Sequence, residues 1–214
     1  VRLSFGQVTS GLRKTAALLA LAVMFTGCSA PAESESGAAL PDVVGSMDIR
    51  YAEQFSVDYL ADGSALAEVA DGRRYLIIPD GGEVPEQLPE DVTVISQPEN
   101  IYLASSSSMD LFSSLDCLGD ILASSTPESG WKLPEIAQAM ADEDILYAGK
   151  YSSPDIELLM SEGCDLAIEN MMIYHSPKTA EQIESCGIPV FIERSSAESH
   201  PLGRLEWVRL YGLM

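Results

Sequence analysis

The chain has 214 residues, with 33 acidic against 12 basic side chains, a formal charge of −21 at neutral pH and 46% apolar residues. That length supports one substantial core or two small ones, and so acidic a surface repels phosphate, which excludes nucleic acid as a partner and gives little attraction to anionic lipid. No GxGxxG, GxxxxGK[ST] or GxSxG stretch occurs, so dinucleotide, P-loop and nucleophile-elbow chemistry have no support in the sequence.

At the N-terminal side, Arg13 and Lys14 precede an uncharged run from Thr15 to Thr26 that leads to Cys28. A basic flank, a short apolar stretch and small residues describe an export signal. The stretch is too short for a spanning helix, which needs about 20 apolar residues. Phe25-Thr26-Gly27-Cys28 resembles the lipobox of bacterial lipoproteins, with Phe25 where Leu is usual. The resemblance implies that residues 1–27 are removed and that Cys28 is lipidated. The protein is then exported and lipid-anchored to the outer face of the cytoplasmic membrane. Cys117, Cys164 and Cys186 remain, with no CxxC or other metal spacing. A Cys164–Cys186 bridge is open to them in an oxidising compartment; buried free thiols are the reading that their apolar flanks favour.

Residues 28–46 are small and polar and read as a flexible spacer. A short β-meander follows, in which Asp62-Gly63 and Asp71-Gly72 separate FSVDYL, SALAEVA and RYLIIP. Asp-Gly between such runs marks a hairpin, because the tight turn needs positive φ. From Val92 the pattern changes to apolar strands alternating with helices. The strands are VTVIS, IYLAS, DILAS, ILYAG, CDLAI and IPVFI. The helices are expected over 109–115 (capped by Ser108), 134–141, 155–161 and 177–185. The fold class is α/β: a Rossmann-like parallel sheet with helices on both faces, preceded by the meander. The last stretch, 200–214, starts as a helix with Pro201 in its first turn. Neither a Gly or Asn cap nor a basic last turn is seen to close it, so the chain is expected to be cut there.

Ligands of such folds bind outside the carboxyl ends of the strands. Function is therefore expected in loops 105–108, 149–154, 170–175 and 193–200. Tyr147, Lys150, Tyr151, Tyr174, His175 and Arg194 lie in or beside them. Aromatics with isolated cations suit an anionic or planar ligand. The competing readings are a core position for Tyr147 and an ion pair from Arg194 to Glu193 or Glu198. With only His175 and His200 in the chain, a three-His zinc site is excluded. Mixed ligation by either histidine with Glu169 or Glu193 stays open. A hydrolase would pair Ser107 or Ser108 with His175, without the strained elbow.

Three segments, IYLASSSSMDLFSSL, YAGKYSSPDIELLMSEGCDLAIENMMIYHSP and GIPVFIERSSAESHPLGRLEWVRLYG, together resemble substrate-binding proteins of ABC importers. The group is the one that serves iron-siderophores, haem and cobalamin, and the resemblance covers about residues 92–214. It implies two Rossmann-like lobes joined by a long helix, with ligand in the cleft between them. This chain would hold the first lobe, 47–199, and the start of the interlobe helix, 200–214, with the second lobe absent. It also implies a non-catalytic protein without a cofactor, whose partners are an iron chelate, haem or corrinoid and the permease subunits. Tyr147, Lys150, Tyr174, His175 and Arg194 would form the first-lobe wall of the cleft. Glu157, in SPDIELL, would dock onto permease arginines. Asn170 stands where Thr or Ser is expected and Ala197 where Tyr is expected, and both bear on the ligand. The alternatives are a secreted serine hydrolase and a structural or adhesive surface lipoprotein.

Overall fold

The computed structural model describes residues 39–214; the signal, Cys28 and the first part of the spacer lie outside the described residues. In chain order the strands and helices begin with β1 (Val43–Ser46), β2 (Phe55–Leu60), β3 (Ala65–Val69), β4 (Arg74–Ile78), β5 (Val92–Ser96) and β6 (Ile101–Leu103). Next come α1 (Ser106–Ser114), β7 (Ile121–Ser124), α2 (Pro134–Ala141), β8 (Leu146–Tyr147), β9 (Gly149–Lys150), β10 (Ser153–Pro154) and α3 (Ile156–Ser161). The chain closes with β11 (Leu166–Asn170), α4 (Pro177–Ser185), β12 (Val190–Glu193) and α5 (Pro201–Tyr211).

The first sheet runs β1-β2-β3-β4-β5, antiparallel except for the parallel β4/β5 pair. Gly63 and Gly72 sit at φ +89° and +87° in its two hairpins. Asp62 and Asp71 accept the backbone N–H two residues on, at 3.0 and 3.1 Å, which pins both turns. Two expectations are corrected here. Residues 43–46 are not spacer but the edge strand β1. All four are exposed, so backbone pairing to β2 holds them and no burial pattern announces them. VTVIS, in turn, is not the first strand of the parallel sheet. As β5 it joins the meander beside β4, because residues 79–91 are long enough for a parallel crossover.

The second sheet is parallel throughout, in the order β12-β11-β6-β7-β8, with β9 and β10 forming a small separate hairpin. Apart from the edge strand β8, its strands are buried on both faces. Ile101, Leu103, Ile121, Leu166, Ile168 and Phe191 point into one core, with Met109 and Phe112 of α1, Ile136 of α2 and Trp207 and Tyr211 of α5. The inner face of the meander, including Phe55, Val57 and Tyr75, completes that core. Tyr102, Ala104, Ala123, Ala167, Val190 and Ile192 face the opposite layer, closed by Leu159 of α3 and Ala180 and Ile183 of α4. Each large side chain so buried contributes about 1.5–3 kcal/mol. The α/β class with helices on both faces is thus as expected.

Two helix ends differ from expectation. α1 starts at Ser106, before the anticipated Ser108 cap, and no side chain caps it; Ser105 precedes it and turns its hydroxyl to Glu193. α5 carries Arg209 in its last turn and is followed by Gly212, whose N–H bonds to the Val208 carbonyl at 3.0 Å. Helix α5 is also strapped to the start of the meander. Glu206 accepts the N–H groups of Arg50, Tyr51 and Ala52 at 2.7–3.1 Å, and Glu198 those of Glu53 and Gln54. The crossing is tight at Gly203, where a Cβ would stand 2.8 Å from the Tyr51 carbonyl oxygen.

Candidate functional site

Chain order and sheet order part company between β6 and β11. From β6 the chain steps to β7 and β8 on one side; it then returns to place β11 and β12 on the other. The loops leaving β6 and β11 must therefore diverge, opening a crevice at a topological switch point. A cleft of about 270 Å³ lies there, lined by Ser105, Ser106, Ser107, Asn170, Met171, Met172 and Ser196. A larger cleft, of about 640 Å³, opens on the meander among Asp62, Ser64 and residues 78–86. It contains no residue of the all-parallel second sheet, and the charged groups lining it, Asp62, Glu83 and Glu86, are all acidic. Fold geometry favours the smaller one.

The floor of the crevice is a buried polar network. Glu193, fully buried at the end of β12, accepts from Ser105 Oγ at 2.8 Å, Ser107 Oγ at 3.3 Å and the Ser195 N–H at 2.7 Å. Its carboxyl group sits with the serines that open α1, where a helix dipole favours negative charge. Ser108 Oγ lies 2.9 Å from the Tyr211 hydroxyl of α5. Asn170 ties the two diverging loops together: its Nδ2 donates to the Ala104 carbonyl at 3.3 Å, and its Oδ1 accepts the Met172 N–H at 2.8 Å. The turn it starts, Met171–His175, carries exposed Met172 and Tyr174.

The six residues singled out in the sequence do not form one cluster. Tyr174 and Arg194 meet: Arg194 donates to the Tyr174 hydroxyl at 3.2 Å and to Gln54 Oε1 at 3.1 Å. The Tyr174 hydroxyl donates in turn to Asp71 on the second hairpin. Partial burial and the Asp71 carboxylate push the Tyr174 hydroxyl above the usual tyrosine range. Arg194 makes no ion pair with Glu193 or Glu198. The first is taken by serines, and the second by the strap and by Trp207 Nε1 at 2.8 Å. His175 is exposed beside this group. Tyr147 and Lys150 are exposed as well; Tyr147 lies on β8, three strands from β11 and about 15 Å along the sheet, whereas Lys150 lies on β9, in the hairpin whose Ser152 carbonyl accepts from Thr179 Oγ1 of α4 at 3.0 Å. Tyr147 is thus not a core aromatic. Tyr151 is half-buried against the α3–α4 layer. Glu157 lies exposed in the first turn of α3, behind the N-cap Asp155, which accepts the Leu158 N–H at 3.0 Å.

Other possibilities from the sequence find different geometry. Ser107 bonds to Glu193 and Ser108 to Ser105 and Tyr211, so neither is hydrogen-bonded to His175. His200 Nδ1 accepts the Leu202 N–H at 3.1 Å, and its ring stacks on Tyr51. No group of three or more His, Cys, Asp or Glu side chains able to hold a metal occurs among the described residues. Cys117, Cys164 and Cys186 are free thiols; burial pushes Cys164 up to about 11. Met171 and Ser196 line the crevice without any distinguishing sequence signal, whereas Asn170 stands out in sequence only as an unexpected residue.

No family model matches the chain, and no curated protein matches it. Among solved structures it is similar to the petrobactin-binding protein YclQ of Bacillus subtilis, with 13% identity and a TM-score of 0.44 over 68% of this chain and 44% of that one. It is also similar to the periplasmic catecholate-siderophore binding protein VctP of Vibrio cholerae, with 14% identity and a TM-score of 0.36 over 47% and 34% of the two chains. A third is the iron uptake ABC transporter substrate-binding protein PiuA of Streptococcus pneumoniae, with 15% identity and a TM-score of 0.36 over 53% and 42%. The chain spans less than half the length of each. At these identities and TM-scores the likeness assigns no ligand to it.

Proposed function

We propose that this chain is the ligand-capturing part of a lipid-anchored substrate-binding protein of an ABC importer, taking an iron-siderophore-type ligand outside the cytoplasmic membrane. The observation that carries the reading is the crevice at the β6/β11 switch point, lined by Ser105–Ser107 and Asn170–Met172, with exposed Tyr174 two residues beyond Met172. Arg194, behind Tyr174, supplies a cation to a ligand rich in oxygen donors, and the exposed aromatic offers a planar face. Tyr147, three strands away on β8, would meet the far side of a large ligand, with Lys150 in the hairpin that follows it. Lipidation at Cys28 would keep the protein at the membrane, and Glu157 would dock it onto the permease. A serine hydrolase is disfavoured because Ser107 and Ser108 are hydrogen-bonded elsewhere than to His175.

The test is equilibrium dialysis of the full chain against a ferric catecholate siderophore, a ferric hydroxamate siderophore, haemin and cyanocobalamin. Saturable binding of a ferric siderophore, weakened at least about tenfold by Tyr174→Ala, supports the reading. In cells, Glu157→Arg should abolish uptake while leaving that binding intact. Absence of saturable binding to any of the four would contradict the proposal.

A further inference from the structure

One strand position in the parallel sheet carries the wrong chemistry for its place. Glu169 is fully buried on β11, and neither carboxyl oxygen meets a hydrogen-bond partner. The hydroxyl of Tyr102, on the neighbouring strand β6, is also buried without a partner. Tyr102 pairs with Ala167 across β6/β11, so strand alternation puts Glu169 on the same face, one diagonal step away. Alanines surround this face: Ala104, Ala123, Ala148, Ala167 and Ala180 leave the room that the two polar side chains occupy. Buried polar groups are nearly always paired, and one left unpaired calls for an explanation.

What faces Glu169 excludes an ion pair. β12 presents Val190 and Ile192, α3 presents Leu159, and α4 presents Ala180 and Ile183. The charged residues of those two helices, Glu157, Lys178, Glu181 and Glu184, and Glu162 beyond α3, are exposed. Cys164, Tyr102 and half-buried Tyr151 are the titratable groups of the layer itself, and Tyr147 stands exposed at its margin. None of these supplies a positive charge. Desolvation alone therefore acts on Glu169 and raises its carboxyl to about 8, so at neutral pH it is held as the neutral acid.

Its position gives that proton a consequence. Pairing between β11 and β6 stops at Ile168, whereas pairing to β12 runs on through Glu169 and Asn170. Beyond the Ile168 carbonyl, which accepts the Ala104 and Ser105 N–H groups at 2.9 and 3.2 Å, the end of β11 is held by strand pairing on the β12 side only, with the Asn170 side chain bridging to Ala104 on the other. A cavity of about 140 Å³ borders the same layer, lined in part by Ile173, Tyr174, Ala180 and Ile192 and by the charged Arg73, Glu181 and Glu184; its one cation, Arg73, pairs with Asp71 at 3.6 Å and Glu184 at 3.5 Å and not with Glu169.

We infer that Glu169 is a positioning residue for the crevice, and that its protonation state decides whether the end of β11 and the Met171–His175 turn stay seated. Ionisation in an apolar layer without a counter-ion draws in water, and the nearby cavity gives water a route. Unseating the turn moves Met172 and Tyr174, so ligand capture weakens on the alkaline side. That last step rests on reading the crevice as the binding site; the seating itself does not.

The direction follows from linkage. An acid whose seated pKa lies above its ordinary value contributes fully below the ordinary carboxyl range, and that contribution drains away as pH rises toward about 8. The experiment needs no ligand. In the full chain, the Glu169 carboxyl is titrated by carbon-13 NMR, and amide protection factors at 172–175 are followed from pH 5.5 to 8.5, with intrinsic exchange divided out. Titration above pH 7 and protection falling by up to about tenfold per pH unit are expected. In Glu169→Gln the protection should be flat, and amides of β2 and β3 should be flat in both proteins. Titration near the ordinary glutamate value, or the same slope in Glu169→Gln, would overturn the inference. Loss of protection equally in β2 and β3 would reduce Glu169 to a general stability residue and overturn the positioning role. Since no ligand takes part, these results stand apart from success or failure of the binding assay.

Discussion

Glu193 shows how a single residue can look ordinary in the sequence and be central in the fold. In IPVFIERSS it reads as an acid at a strand end, where solvent is the default environment. Its burial depends on Ser105 and Ser107, nearly ninety positions earlier in the chain, whose hydroxyls donate to it across the crevice floor. Removing the carboxylate leaves two hydroxyls and the Ser195 N–H without their acceptor. Glu193→Ala is expected to cost about 2–4 kcal/mol in urea unfolding. A loss below about 0.5 kcal/mol would mean that the network is not closed in solution. Arg194 teaches the same lesson from the other side. Sequence proximity suggests Glu193 or Glu198 as its partner, yet strand alternation turns neighbours apart, and it finds Gln54 and Tyr174 instead.

At the scale of elements, legibility followed the source of stability. Strands and helices held by apolar burial were readable: α4 falls on 177–185 as expected, and both Asp-Gly turns lie where the sequence puts them. Elements held by backbone pairing alone were not readable. Exposed β1 is the clear case, and β5 was legible as a strand but not as a member of the first sheet. The strap over α5 was equally hidden, because two carboxylates hold residues 50–54 to a helix about 150 positions away in sequence. Gly203 permits the close crossing, so Gly203→Ala must push the Tyr51 carbonyl aside. That substitution normally stabilises a helix; here a loss of about 1–3 kcal/mol is expected by thermal or urea unfolding. A gain would show that the strap is not seated. Glu206 adds a pH signature to the same contact. Slight desolvation pushes its carboxyl up, but the N–H groups of Ala52, Tyr51 and Arg50 outweigh this and hold it below the usual range. Its contribution is therefore present at neutral pH and lost as pH falls through that lowered value.

For the whole molecule, two carboxyl groups thus pull the pH profile in opposite directions, the strap failing in acid and the β11 layer loosening toward pH 8. The acidic total charge, −21, adds self-repulsion on the alkaline side. The strand order was not legible from the sequence, since alternation announces a parallel sheet without ordering its strands. With the order β12-β11-β6-β7-β8 in hand, the crevice position follows from topology, and loops 105–108 and 170–175 prove to be its walls. Which side chains line the crevice depends on reach across that gap, which is why Asn170 and Met172 line it whereas Lys150 and Tyr151 do not. The most direct measurement is an amide chemical-shift map of the full chain titrated with a gallium-substituted catecholate siderophore, a diamagnetic stand-in for the ferric complex. Saturable shifts concentrated at Ser105–Ser107, Asn170–His175 and Ser196 are the predicted result. Saturable shifts confined to the acidic cleft at residues 78–86, with the β6 and β11 loops unmoved, would contradict the account.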